Sequence, residues 1–257
     1  MYEQILIDKQ DGYAKIIFNR PETRNAITPL FMDELETELK ELDADDSINV
    51  IFLTGAGDDF CAGMDLKYAL DTLQNRPDAF RVELIPKGPR VDDLIEGLRK
   101  PVIAAVQGNA VAGGFILAYF CDLIIAEEDA KFGDAHAKWG FVPGWQEPQR
   151  LARKIGIRRA REFFLTAELV SAERAKEMGL VWKVVPTGGL EEAVAKWGAK
   201  YKKLNLEALS MMKQQLKSMM RADWQSVLDF DLLMRKDLIG GFCTEDAAAR
   251  LKTFGKK

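Results

Sequence analysis

The chain has 257 residues, with 36 Lys plus Arg against 40 Asp plus Glu and one histidine, giving a formal charge of −4. This acidic balance does not fit nucleic-acid binding. At 47% hydrophobic and 30% charged, with 20 Gly and 9 Pro, the composition excludes wholesale disorder and supplies a substantial core.

The three cysteines, Cys61, Cys121 and Cys243, are widely spaced and form no C-x-x-C pair, so neither a disulfide framework nor a thiolate zinc site is expected. A reducing, cytoplasmic setting follows as an expectation. MYEQILIDKQDG does not read as a signal peptide, and no uninterrupted apolar run of about 18 residues predicts a membrane span.

In chain order, Ile5 and Ile7 alternate with polar neighbours, Asp11-Gly12 follows, and Tyr13 to Phe18 is strand-like again, which predicts a hairpin. Phe31, Leu35, Leu39 and Leu42 recur at steps of four and three, with Thr28 placed to cap and Pro29 in the first turn, the pattern of an amphipathic helix. NVIFLT is a buried strand emptying into the loop GAGDDFCAG. VDDLIEGLR then reads as a helix, PVIAAVQG as a strand, AVAGG as a tight turn, FILAYFCD as a helix and DLIIAEED as a strand. This alternation predicts an α/β chain with a mostly parallel sheet in ββα or βαβ layers. Residues 1–190 are expected to hold the core and 191–257 a helical C-terminal region, whose apolar faces require cover from their own sheet or from a neighbouring subunit.

Three segments carry chemistry. DDFCAGMDLK leaves the carboxyl end of a buried strand, where open α/β sheets place ligands; Ala62 and Gly63 allow close approach, and the Met64 amide is available as a donor. In GNAVAGGFILAYFCD a strand meets a helix at Gly113-Gly114, where unpaired amides favour an anion or a developing oxyanion. Taken singly, the first also reads as an ordinary turn and the second as close helix packing. Together they suggest a two-donor oxyanion hole. The third, KFGDAHAKWGFVPGW, holds His136, the only histidine and a candidate proton acceptor, among Ala135, Ala137, Trp139 and Phe141. Phe60, Tyr68, Phe80, Trp139, Phe141 and Trp145 suggest either a roomy aromatic pocket or core.

Other chemistries fit less well. One histidine cannot supply H-E-x-x-H, no phosphate-loop or dinucleotide glycine pattern is present, and none of Ser47, Ser171, Ser210, Ser218 and Ser226 sits in a G-x-S-x-G elbow. A thiol nucleophile beside His136 would have to be Cys61 or Cys121, and both read better as packing residues.

NRPETRNAIT, FCAGMDL, PVIAAVQGNAVAGGF, CDLIIAEEDAKFG, GFVPGWQEPQRLARKIG and REFFLTAELVSAERAKEMGLVWKVVP, in this order, resemble the crotonase, or enoyl-CoA hydratase/isomerase, superfamily over nearly the whole chain. The resemblance implies a spiral of ββα units with C-terminal helices that mediate trimers or dimers of trimers. It also implies acyl-CoA thioester substrates, with no metal and no cofactor beyond the CoA of the substrate. The thioester oxygen would sit between the amides of Met64 and Gly113. Arg24, Ala62, Asp65, Leu66 and Lys252 match positions that contact the CoA moiety, and Ala26, Gly114, Ile116, Trp139 and Trp145 complete the expected substrate contacts.

The chain departs from the pattern at both acid–base positions. Hydratases of the family use two glutamates, and the matching residues here are Ile116 and His136. Ile116 exchanges no proton, so the second group must come from elsewhere, with Glu147 or Asp134 as candidates. A hydratase-like lyase with His136 as base is the leading expectation. The alternatives are an enoyl-CoA isomerase, a non-catalytic acyl-CoA binder, and a hydrolase of a C–C bond in a β-diketone or β-keto thioester. The last is similar to 6-oxocamphor hydrolase around the His136–Gly144 segment, although that enzyme has an acid where this chain has Trp145.

Overall fold

The computed structural model describes residues 2–76, 78, 80–219 and 224–234. The chain divides into two compact units, Met1–Lys203 and Leu204–Lys257.

In the first unit, β1 (Ile5–Gln10) and β2 (Gly12–Phe18) form the expected antiparallel hairpin, with Gln10 opposite Tyr13 and Gly12 at φ +91°. Helix α1 (Pro29–Ala44) starts as predicted: the Thr28 hydroxyl accepts from Phe31 N at 3.2 Å and Pro29 occupies the first turn. Its Phe31, Leu35, Leu39 and Leu42 are fully buried. At its other end the buried Lys100 ammonium donates to Leu42 O at 2.6 Å and also to Asp45 O, placing positive charge at the carbonyl end of the helix.

β3 (Ile48–Gly55), β4 (Val102–Val106), β6 (Leu123–Glu127) and β9 (Lys183–Val185) continue the sheet in parallel, in the order β1-β2-β3-β4-β6-β9. β5 (Asn109–Val111), β7 (Lys131–Gly133) and β8 (Val170–Ser171) form a separate three-stranded sheet. The central strands are buried on both faces, as parallel strands covered on two sides must be. Ile51, Leu53, Val102, Ala104 and Val106 face the main core with α1, whereas Val50, Phe52, Ile103, Ala105 and Ile125 pack under Leu190 and Val194.

The remaining helices of this unit are α2 (Leu66–Asn75), α3 (Lys87–Gly97), α4 (Gly113–Phe120), α5 (Glu147–Ile155), α6 (Ile157–Thr166), α7 (Ala172–Glu177) and α8 (Leu190–Tyr201). Three points differ from the sequence reading. Helix α3 begins at Lys87, four residues before Val91, because Pro89 in the first turn is compatible with a helix that a Gly-Pro pair would interrupt further in. A short strand, β5, precedes the Gly-Gly turn. Helix α8 belongs to the first unit, since its Leu190 and Val194 cover the second face of the sheet, so the compact units part after Lys203 rather than at residue 190.

The second unit contains α9 (Leu206–Met219) and α10 (Trp224–Met234). The Asn205 side chain accepts from Ala208 N at 2.6 Å and so starts α9. No described helix is long and apolar enough to cross a membrane. Lys252 and Cys243 lie outside the described residues.

Candidate active site

The loop after β3 is held rigidly before it reaches Met64. Asn25, fully buried at φ +56°, donates from Nδ2 to Ala56 O at 2.9 Å and Asp59 O at 2.8 Å, while its Oδ1 accepts from Arg20 N at 2.9 Å. The Cys61 thiol donates to Asn25 O at 3.1 Å, and burial pushes that thiol up to about 12, so it is a packing residue and not a nucleophile.

Met64 then pairs with Ile27 in a parallel bridge in which Ile27 N donates to Gly63 O at 2.8 Å and Asp65 N donates to Ile27 O at 2.9 Å. In a parallel ladder the bridged residue turns its own N–H away from the partner that its neighbours bind. The Met64 N–H therefore faces away from Ile27, and among the described residues no acceptor for it is found. Gly63, at φ +89°, makes this possible: a Cβ there would lie 2.8 Å from Val111 O and 3.1 Å from Gly113 N.

Gly113 opens α4 directly after Ala112, a non-glycine residue at φ +47° and ψ −119°. That conformation is sparsely populated by L-residues and is held because Ala112 N donates to Gly133 O and Ala112 O accepts from Ile116 N, both at 2.9 Å. The Gly113 N–H belongs to the first helical turn, where no intrahelical acceptor exists, and it too finds no acceptor among the described residues. Gly114 serves packing, since a Cβ there would overlap Cys61 O.

Met64 and Gly113 line one small cleft, with a volume of about 60 Å³. Its walls are mostly apolar: Leu84, Ile85, Ile116, Phe141, Val142, Gly144 and Trp145. Its two ionisable side chains are His136 and Glu147.

His136 follows β7. Its Nδ1 is hydrogen-bonded to Asp134 Oδ1, and its backbone N lies 3.3 Å from Asp134 Oδ2. Asp134 is 4% exposed. An ionised carboxylate only accepts, so Nδ1 carries the proton and the Nε2 lone pair is left for a substrate or water. Glu147 is the first residue of α5, is 1% exposed, and accepts from Trp145 N at 2.9 Å through Oε2. Burial raises its pKa above the ordinary glutamate value, against the opposing pull of backbone hydrogen bonds and of His136.

The structure thus gathers Met64, Gly113, Ile116, His136, Trp145 and Glu147 from the expected set. Trp139 is 63% exposed and Leu66 is 41% exposed, and neither lines the cleft. Asp65 is committed to Arg20 Nη2 at 2.9 Å and to capping α2 through Lys67 N and Tyr68 N. Ala26 is buried beside Ile27, and its carbonyl accepts from Arg20 Nη1 at 2.6 Å. Ala62 N donates to Arg24 O at 2.9 Å, while the Arg24 side chain projects outward with Nε 3.6 Å from Asp59 Oδ2. Of the aromatic candidates, Phe141 and Trp145 line the cleft, whereas Phe60 packs on Phe18 in the core.

Leu84, Ile85, Val142 and Gly144 were missing from the sequence reading, because irregular segments carry no periodicity to mark an inward face. The Asp134–His136 pair had a signal in its D-x-H spacing. Among the described residues, no group of three or more His, Cys, Asp or Glu side chains could hold a metal ion.

Residues 8–245 match the enoyl-CoA hydratase/isomerase family. The chain is 32% identical over 258 residues to the crotonyl-CoA hydratase of Syntrophomonas wolfei, spanning 100% of this chain and 96% of that one. It is 40% identical over 186 residues to the enoyl-CoA hydratase EchA19 of Mycobacterium tuberculosis, spanning 71% and 68% of the two chains. The crystal structure of an enoyl-CoA hydratase from Bacillus anthracis superposes with a TM-score of 0.90 at 31% identity, over 99% of this chain and 96% of that one. A two-sheet α/β core with a cleft at the junction of two loop amides is the crotonase fold. The chain belongs to the enoyl-CoA hydratase/isomerase family and is an enoyl-CoA hydratase-like acyl-CoA enzyme.

Proposed function

We propose that the cleft binds an acyl-CoA thioester with its carbonyl oxygen between the N–H groups of Met64 and Gly113, and that His136 and Glu147 carry the proton transfers. The observation that carries this reading is the convergence of two unpartnered amides and an Asp134-oriented imidazole on one cleft.

In the hydration direction, His136 Nε2 takes a proton from water as the oxygen adds to the β-carbon of the enoyl thioester. Electron density moves onto the thioester oxygen, giving an enolate held by the two amides. Glu147, biased toward its neutral form, then protonates the α-carbon. Water has been added across the double bond, leaving imidazolium and carboxylate, and transfer of one proton from the first to the second resets the pair. In such a hole each donor contributes about 10²–10³ in rate.

Ile116 and the Asp134–His136 pair favour a second reading. With no carboxylate at Ile116, the same imidazole suits attack of water on a β-ketone. The C–C bond then breaks to give an acid and a thioester enolate, which Glu147 protonates. Incubation with enoyl- and β-keto-acyl-CoA panels, read by mass spectrometry, separates the readings: a gain of one water supports hydration, two fragments support cleavage, and an isomer of unchanged mass supports isomerisation. Binding without any turnover would leave an acyl-CoA binder and overturn both catalytic readings.

Arg24, on the loop beside Ala62, would contact the CoA moiety, with Lys252 as a second contact. The exposed Leu66, Leu70 and Leu73 of α2 fit an assembly into trimers or dimers of trimers. The free buried Cys61 and Cys121 suit a reducing compartment such as the cytoplasm.

A further inference from the structure

The cleft that holds the amide pair runs from an open mouth to a buried end. Val142, at the mouth, is 85% exposed, whereas Leu84 and Ile116 are buried and Trp145 is 7% exposed. The walls between are close together: a methyl group on Gly144 would lie 3.4 Å from Ile85 Cδ1 on the opposite side.

At the buried end stands the Trp145 indole, set between two helices. A methyl group built on Gly113, at the start of α4, would lie 3.7 Å from indole Cη2, and one built on Gly88, in the first turn of α3, would overlap Cδ2, Cε2 and Cζ2. The far edge of the six-membered ring therefore stands beside the residue that offers the Gly113 N–H, while the fused bond rests against α3. The ring is also part of the main hydrophobic core, and its own backbone N–H donates to Glu147 Oε2 at 2.9 Å. A ring packed in this way does not swing aside without opening the core.

Space in front of the ring is small. The cleft volume is about 60 Å³, and at about 10–15 Å³ for each water-sized group it takes about four or five heavy atoms. A thioester oxygen and the first four carbons of an acyl group fill it.

We propose that Trp145 sets the acyl length this enzyme accepts: its indole closes the inner end of the cleft and limits the substrate to short acyl groups, of about four carbons. The proposal rests on the reading of the cleft as the acyl-CoA site. A longer chain must either press into the indole or fold back toward Val142, and folding back draws the α- and β-carbons away from Glu147 and His136. One methylene too many in an apolar pocket changes kcat/KM by about 10–200-fold. Removing the ring leaves the Trp145 backbone N–H, and so its bond to Glu147, in place, and it opens the cleft as far as Gly88, which has no side chain to refill the space.

The test is a series of straight-chain 2-enoyl- and 3-keto-acyl-CoA esters of four, six, eight and ten carbons, assayed with the parent and with Trp145→Ala. Affinity for the saturated acyl-CoA of each length is measured alongside by isothermal titration calorimetry. In the parent, kcat/KM should be highest at four carbons and lower by about tenfold or more at eight. Trp145→Ala should raise the eight-carbon value by about tenfold or more and lower the four-carbon value, which moves the optimum. A parent that accepts eight carbons as well as four overturns the proposal. So does an unchanged profile in Trp145→Ala, or a loss equal at every length, which would mark Trp145 as a packing residue only. If esters bind without turnover, the affinities decide by the same criteria. Failure of the acyl-CoA reading looks different, since neither protein would then bind or turn over an ester of any length, and both ideas would fall together. Should Trp145→Ala not fold, Trp145→Phe decides: the smaller ring should move the limit to six carbons, and an unmoved limit rejects the proposal.

Discussion

Gly63 and Gly113 approach so closely that a methyl group on Gly63 would lie 3.1 Å from the Gly113 nitrogen. This contact joins the loop after β3 to the first turn of α4, and it brings the Met64 and Gly113 amides to one cleft. The relationship depends on having no side chain at Gly63, and so it can be tested directly.

Gly63→Ala meets two obstacles, a φ of +89° and the Val111 carbonyl 2.8 Å from the new carbon. The left-handed conformation alone disfavours alanine by about 1–2 kcal/mol. Displacing the Met64 amide should lower kcat by about 10²-fold or more. Thermal melts and steady-state rates on the same preparation should show both losses.

His136→Ala should abolish turnover while leaving CoA-ester affinity nearly unchanged, because the amide pair and the base are separate parts. Asp134→Asn should keep the imidazole in place but release the Nδ1 proton preference, with a loss in kcat of about 10²–10⁴. Isothermal titration with a non-reactive thioester, alongside kinetics, separates binding from chemistry. A variant at either position that turns over enoyl and β-keto thioesters at the parental rate rules out its assigned role.

Glu147 gives stability a defined pH dependence. Burial raises its pKa above the unfolded value, so folding favours its protonated form. Its contribution is fully present below the unfolded glutamate pKa and is lost as pH rises through the higher folded value. Glu147→Gln removes this dependence. The variant should therefore gain in Tm relative to the parent as pH rises from about 4.3 toward neutrality, and the gain should vanish in acid. A melting series across that range checks the sign.

Gly88→Ala would drive a methyl group into the Trp145 indole. Overpacking of this kind typically destabilises by about 1–3 kcal/mol. Since Trp145 also lines the cleft, KM for longer acyl chains should rise more than KM for short ones. Denaturant melts and a chain-length series measure the two effects.

Much of the architecture could be read from local pattern. The spacing of Phe31, Leu35, Leu39 and Leu42 and the Thr28 cap locate α1, and the β-branched runs locate β3, β4 and β6. Helix α2 was not anticipated. Leu66, Leu70 and Leu73 point outward in it, so its buried side rests on Ala69 and Thr72 and gives a weak signal. The hold of α8 on the sheet was likewise hidden, because an amphipathic helix does not say which apolar surface it will cover.

By itself the sequence determined the class of the protein, the two glycine-bearing loops and the one imidazole, since these follow from short-range pattern and residue chemistry. Only the tertiary structure decided that Met64 and Gly113 share a cleft, that Asp134 orients His136, and that Glu147 is buried beside them. It also excluded Trp139 from the cleft and committed Asp65 to Arg20. Such relations depend on packing between segments far apart in the chain, where burial and hydrogen-bond satisfaction, rather than local propensity, select the partners.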